Sequence, residues 1–135
     1  MSQENVEQAK RAADAYNRRD VEALLEELHP DVEWFAALTV LLGGEATVYR
    51  GHEGVRELLR ETDEVLDEIN VEYSEIRDVG DRVVAIGRIR IRGKASGATT
   101  ESAVGVVSDL RDGKAIRVRT YLDPKEALQA AGLSE

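Results

Sequence analysis

The sequence predicts an α+β fold in which N-terminal helices pack on a strongly bent, mainly antiparallel sheet. Apolar residues recur at spacings of three and four through the first half of the chain, the signature of amphipathic helices. The second half breaks into four β-rich runs separated by turn chemistry. At 135 residues, 42% hydrophobic and 33% charged, the chain is one domain spanning 1–135, long enough to bury its own core.

Val6, Ala9, Ala13 and Tyr16 mark one face of a first helix. Asp20 is placed to cap a second, short helix with Leu24, Leu25 and Leu28 on its apolar side, and Pro30 is expected to stop it. "DVEWF" reads as a strand, and "AALTVLLGGEATV" as an apolar patch with a Gly-Gly break. From Gly51 a third helix is expected, carrying Val55, Leu58, Leu59, Thr62, Leu66 and Ile69 on one side. Its other side is acidic, with Glu57, Glu61, Glu64, Asp67 and Glu68 forming a solvated face. "INVEYSEIRDV", "DRVVAIGRIRIRG", "TTESAVGVVSDLR" and "KAIRVRTYL" then read as strands joined by "GD", "GKASG" and "DGK". The closing "DPKEALQAAG" is a helix with Asp123 as N-cap, Pro124 in its first turn, Glu126 completing a capping box and Gly132 ending it.

The last hairpin allows two registers. A two-residue Asp112-Gly113 turn opposes Leu110 to Ala115 and Ser108 to Arg117, mixing the faces. A three-residue loop through Lys114 opposes Leu110 to Ile116, Ser108 to Val118, Val106 to Thr120 and Asp109 to Arg117. The second keeps apolar groups together and pairs opposite charges, so it is the expected one. It sends Val83, Ala85, Ile89, Val104, Val106, Ser108, Val118, Thr120 and Ile116 to the helix-covered face. Arg88, Arg90, Arg92, Arg117, Arg119 and Tyr121 go to the other, interleaved with Val84, Ile86, Val107, Glu101 and Asp109.

Composition excludes several function classes. The formal net charge of −9 disfavours nucleic acid. That charge is uneven: residues 1–70 hold 17 acids against 7 bases, and 71–135 hold 10 against 11. No apolar run approaches a membrane span, and "MSQENVEQAKRAADAY" is amphipathic from the start rather than a leader, so no membrane association is expected. The absence of cysteine removes disulfide and thiolate chemistry and fits a cytoplasmic protein. Two histidines 23 positions apart form no ligand set, so no metal is expected. "GHEG" and "GKASG" match no phosphate loop or dinucleotide pattern, so no cofactor is expected either.

The helical first half, "YRGHEGVRE" leading into the third helix, "LRDGK" in the last hairpin and the closing "TYLDPKEAL" together resemble the SnoaL-like proteins of the nuclear transport factor 2-like superfamily. The resemblance implies a cone-shaped α+β barrel, a bent sheet wrapped around a helix with a pocket between them, often dimerising through its outer face. Such proteins include polyketide cyclases, ketosteroid isomerase, dehydratases, epoxide hydrolases and members that only bind. Their catalytic residues transfer poorly to this chain. The isomerase-type tyrosine falls near Ala12, its base near Ala36 and its hydrogen-bonding acid near Val106; the cyclase-type His and Asp fall near Val106 and Thr120. Isomerase chemistry of that kind is therefore disfavoured, and a small, largely apolar ligand in the cone is the leading expectation.

His52 is the candidate catalytic residue, a neutral imidazole at the start of the third helix. Its alternative is to fill the turn between Gly51 and Gly54. Trp34, Tyr49 and Tyr16, with Val106, Ser108, Val118 and Thr120 from the inner sheet face, are the candidate ligand-binding set, in which Ser108 or Thr120 donates a hydrogen bond. Core packing is the competing role for the aromatics. Glu33 and Glu45 are expected at the surface, Asp123 as a cap and His29 as a surface residue. Arg88, Arg90, Arg117, Arg119 and Tyr121 form a candidate homodimer interface, with a solvated outer face as the alternative.

Overall fold

The computed structural model describes residues 2–36 and 47–133; Glu45 and most of the apolar patch before it lie outside them. The elements in order are α1 (Ser2–Arg18), α2 (Val21–Glu26), β1 (Leu28–Phe35), β2 (Val48–Arg50), α3 (Gly51–Val65), β3 (Leu66–Asp78), β4 (Arg82–Gly93), β5 (Thr99–Arg111), β6 (Lys114–Tyr121) and α4 (Pro124–Ala130). Six strands form one sheet in the order β2-β1-β6-β5-β4-β3. Its pairs are antiparallel except β1 with β6, which run parallel. The sheet curls without closing, matching the bent, mainly antiparallel sheet expected from the sequence.

Two helix ends fall earlier than the periodicity suggested. α2 stops at Glu26, so Leu28 and Pro30 belong to β1. Pro30 is tolerated there because the β1–β6 register shifts between Leu28 and Glu33, a stretch that needs no donor from it. The next amide, Asp31 N, donates to His29 Nδ1 at 3.0 Å. α3 ends at Val65, and β3 begins at once with Leu66 paired to Gly93. Leu66 and Ile69 therefore pack from a strand, where Ile69, Val71 and Tyr73 alternate inward; a helical spacing had concealed a two-residue one.

The β5–β6 hairpin combines both registers weighed above. The turn is the two-residue Asp112-Gly113, with φ of 55° and 78° as a twisted hairpin turn requires, and it pairs Arg111 with Lys114 and Leu110 with Ala115. A bulge at Ile116 then restores the pairs Asp109–Arg117, Ser108–Val118 and Val106–Thr120. The expected Leu110–Ile116 pair is thus absent. Ala115 turns inward to a buried position, and Ile116 lines an outer cleft beside Asp31, Glu33 and Arg117.

A second bulge, between Tyr73 and Glu75 on β3, bends the sheet over its concave side. Gly87 sits opposite, where a Cβ would stand only 1.9 Å from Glu72 O, so the strands approach more closely than any side chain permits. α1 crosses this concavity and is tied at three points by amide side chains. Asn5 Nδ2 donates to Gly80 O (2.8 Å), and Gln8 Nε2 to Glu27 O (2.9 Å). Asn17 donates to Val71 O (2.8 Å) and accepts from Val71 N (2.9 Å). The last pair satisfies backbone groups of β3, a strand at the edge of the sheet.

On the convex side α4 covers Val84 and Val107, both fully buried, with Ile86 and Tyr121 packed alongside. Asp123 caps α4 by accepting from Lys125 N (3.0 Å), one residue before the position the capping-box pattern implies. Gly132 N→Gln129 O and Leu133 N→Leu128 O close its other end. α4 approaches this closely because β5 carries Gly105, whose Cβ would meet Ala127 Cβ at 2.4 Å. Gly105→Ala is expected to destabilise the fold by about 1–3 kcal/mol through overpacking, with part of the loss recovered in the Gly105→Ala, Ala127→Gly double variant. Urea unfolding midpoints of the three chains measure this.

Candidate functional site

Between α1 and the concave sheet lies a cavity of about 80 Å³. Small side chains make the space: α1 contributes Ala9, Ala12 and Ala13, and the sheet contributes Ala85 and Ala115. Larger apolar groups close it, among them Leu28, Leu58, Val83, Ile89, Val104 and Val118. Six of the seven expected ligand-binding residues line it, namely Trp34, Tyr16, Val106, Ser108, Val118 and Thr120. Tyr16 and Trp34 stack with ring centroids 5.9 Å apart and planes 18° from parallel. The guanidinium of Arg19 stands 5.2 Å from the Tyr16 centroid, held by Asp63 (2.8 Å) and Leu59 O (3.1 Å).

The polar groups of the lining are hydroxyls, one indole N–H and one amide. Burial pushes the Tyr16 phenol above its ordinary pKa, a rise that Arg19 opposes only in part. Burial pushes Tyr73 up as well, with Tyr16 adding to the shift. Both phenols are therefore neutral at physiological pH and able to donate. Thr62 Oγ1 is spent on Leu58 O (2.8 Å). The side chains of Trp34, Tyr73, Ser108 and Thr120 hydrogen-bond to no other described residue. No carboxylate and no imidazole stands among the described lining residues. Two positions that sequence reasoning passed over, Gln8 and Tyr73, belong here. Gln8 occupies the same helix face as Ala12, and Tyr73 continues the inward alternation of β3, so a strand boundary at Leu66 would have found it.

His52 and Tyr49 lie outside the lining. His52 Nε2 is 2.9 Å from Leu28 O, and because a carbonyl only accepts, the ring carries its proton on Nε2. The imidazole thus ties the first turn of α3 to β1, next to Gly51 at φ 72°. Tyr49 pairs with Trp34 across β1 and β2, but its hydroxyl donates to Glu61 Oε1 at 2.7 Å. That bond to a carboxylate, with burial, pushes the Tyr49 pKa up to about 12. Ala36, where an isomerase-type base would fall, is buried, while Ala12, Val106 and Thr120 at the other transferred positions face the cavity. Glu33 points the other way, half-buried between Arg50 (3.3 Å) and Arg117 (3.4 Å).

The outer arginines are threaded by acids. Arg88 pairs with Glu101, Arg90 with Glu68 and Glu101, Arg92 with Asp67 and Glu68, and Arg119 with Asp109. α4 occupies the part of this face that carries Tyr121. No group of three or more metal-ligating side chains occurs among the described residues. Nor is any described helix long and apolar enough to cross a membrane.

A curled, open sheet crossed by a helix over an apolar cavity defines a nuclear transport factor 2-like, cystatin-like cone. The SnoaL-like domain family matches residues 9–118, and the chain belongs to it. Among solved structures, an NTF2-like protein of unknown function from Burkholderia pseudomallei superposes with a TM-score of 0.78 at 23% identity, covering 93% of this chain and 95% of that one. TerC, co-crystallised with polyporic acid, gives 0.76 at 29% identity over 96% and 97%. An NTF2-like protein from Burkholderia xenovorans gives 0.73 at 28% identity over 96% and 97%. No protein of curated description is significantly similar in sequence.

Two outcomes follow for the groups outside the cavity. His52→Ala is expected to cost about 1 kcal/mol by removing the donor to Leu28 O, read as a lower denaturation midpoint. The Tyr49–Glu61 bond holds the folded-state pKa of Tyr49 above its ordinary value of 10.0. Its contribution to stability is therefore complete below pH 10 and fades as pH rises towards about 12. Tyr49→Phe should remove that alkaline step from a phenolate absorbance titration.

Proposed function

We propose that this protein binds a small, largely apolar molecule in the cavity beneath α1. The observation that carries this reading is the lining itself. An apolar wall is interrupted by side chains of Trp34, Tyr73, Ser108 and Thr120 that have no hydrogen-bond partner among the described residues. All four residues are half-buried and their polar atoms stay accessible, so a molecule entering the cavity can pair them. The 29% identical TerC, co-crystallised with polyporic acid, supports a ligand-binding role for this fold. A proton-transfer enzyme built on His52 draws less support, because that ring is engaged with Leu28 O outside the cavity.

Native mass spectrometry of the purified protein and thermal unfolding with toluene or anisole test the proposal. At about a hundredfold excess over Kd, bound ligand stabilises the fold by about 2.7 kcal/mol, seen as a raised Tm. Val106→Phe should fill the space and abolish that rise while the protein stays folded. A rise that persists in the variant would place the binding elsewhere.

A homodimer through the outer face is the second part of the proposal. With Tyr121 packed beside α4, the surface left for it is the half carrying Arg88, Arg90 and Glu101, together with Glu68. Charges alternate there, an arrangement that complements itself about a two-fold axis. Light scattering should give a dimer mass for the wild type and a monomer mass for Arg90→Glu. A wild-type monomer would end this part.

A further inference from the structure

We infer that Gln8 selects ligands carrying a hydroxyl group, by accepting a hydrogen bond at Oε1 inside the cavity. The inference rests on the cavity being a ligand site, and it names the chemistry that site prefers. Gln8 lies on α1 in a wall it shares with Ala9, Ala12, Ala13 and Tyr16, and it is only 3% exposed. Gln8 lines both this cavity and an outer pocket bounded by Gln3, Glu7, Arg11 and Gly113.

The orientation of its amide is dictated from outside. Glu27 O accepts from both Ala115 N (3.0 Å) and Gln8 Nε2 (2.9 Å). A carbonyl cannot donate, so the nitrogen of Gln8 must face Glu27 and the oxygen must face away. That oxygen receives no hydrogen bond from another described residue. The other polar groups of the lining are hydroxyls, which can donate or accept, and the Trp34 indole, which only donates. Gln8 Oε1 is thus the one pure acceptor side-chain atom among the described lining residues. A ligand with an O–H satisfies it, whereas a ligand without a donor leaves it buried and unpaired. An anionic oxygen would also be turned away, because two acceptors would then face each other without a proton between them.

The matched probes are para-nitrophenol and para-nitroanisole, which differ in having O–H or a methyl ether. Below the ionisation of the phenol, calorimetry on the wild type should show it binding about tenfold more tightly than the ether. Gln8→Met keeps the length of the side chain and removes both amide atoms. It should lower phenol affinity to the level of the ether and leave the ether where it was. On binding to the wild type, the yellow phenolate band should appear at higher pH than in free solution, and this displacement should shrink in Gln8→Met.

If both probes bind the wild type equally, or if Gln8→Met weakens both alike, the inference is overturned and Gln8 is only a strut between α1 and Glu27. If neither probe binds the wild type, the cavity reading falls and takes this inference with it. Should Gln8→Met not fold, the wild-type comparison of the two probes decides alone.

Discussion

The architecture depends on how α1 is suspended. A helix lying across a concave sheet would ordinarily settle until its side chains filled the gap, because apolar contact is favourable and voids are not. Here Asn5, Gln8 and Asn17 reach backbone groups of the β3–β4 turn, the α2–β1 junction and β3, one near each end of α1 and one between. These bonds fix the height of the helix, and the alanines beneath it are too short to close the remaining distance. The cavity is the difference between where polar ties hold α1 and where its apolar side chains reach.

That origin accounts for the chemistry of the space. The bend of β3 at the Tyr73–Glu75 bulge and the crossing of α1 enclose described groups that are apolar or hydroxylic, with the Trp34 indole and the Gln8 amide besides. Desolvation keeps the two phenols protonated. Carboxylates are abundant in the chain but are committed elsewhere: Glu61 to Tyr49, Asp63 to Arg19, Glu33 to two arginines. A site built this way can orient a molecule through hydrogen bonds. Among the described lining residues, none carries a negatively charged side chain at neutral pH.

The convex face obeys a different constraint. Strands β4 and β5 present Val84 and Val107 among arginines, and exposing them would place apolar area in water. α4 covers them, seated on Gly105. Farther along the same strands the arginines pair with Glu68 and Glu101 in half-exposed ladders, each pair contributing little to stability by itself. One sheet face thus divides into a packed part and a charged part.

Much of this was legible in the residues. Two-residue alternation placed Val104, Val106, Ser108, Val118 and Thr120 on the inner face, and the helical spacing of Ala9, Ala13 and Tyr16 placed that side of α1 against them. Both patterns are local and survive any tertiary arrangement. What they could not convey was where one period gives way to another. Leu66 and Ile69 fit a helix by spacing, yet pairing with β4 made them a strand and so brought Tyr73 into the cavity. At the last hairpin, Asp112-Gly113 specified a two-residue turn and the apolar pattern specified a different register; a bulge at Ile116 satisfied both. His52 shows the same division at one residue. Sequence alone places it at a helix start beside a glycine, but the proximity of Leu28 O decides that its proton is used to join two elements. The sequence by itself determined the α+β class, the faces of its strands and the absence of transferable catalytic carboxylates. Tertiary structure decided which polar groups of the cavity pair with no other described residue, because pairing depends on distances between segments far apart in the chain.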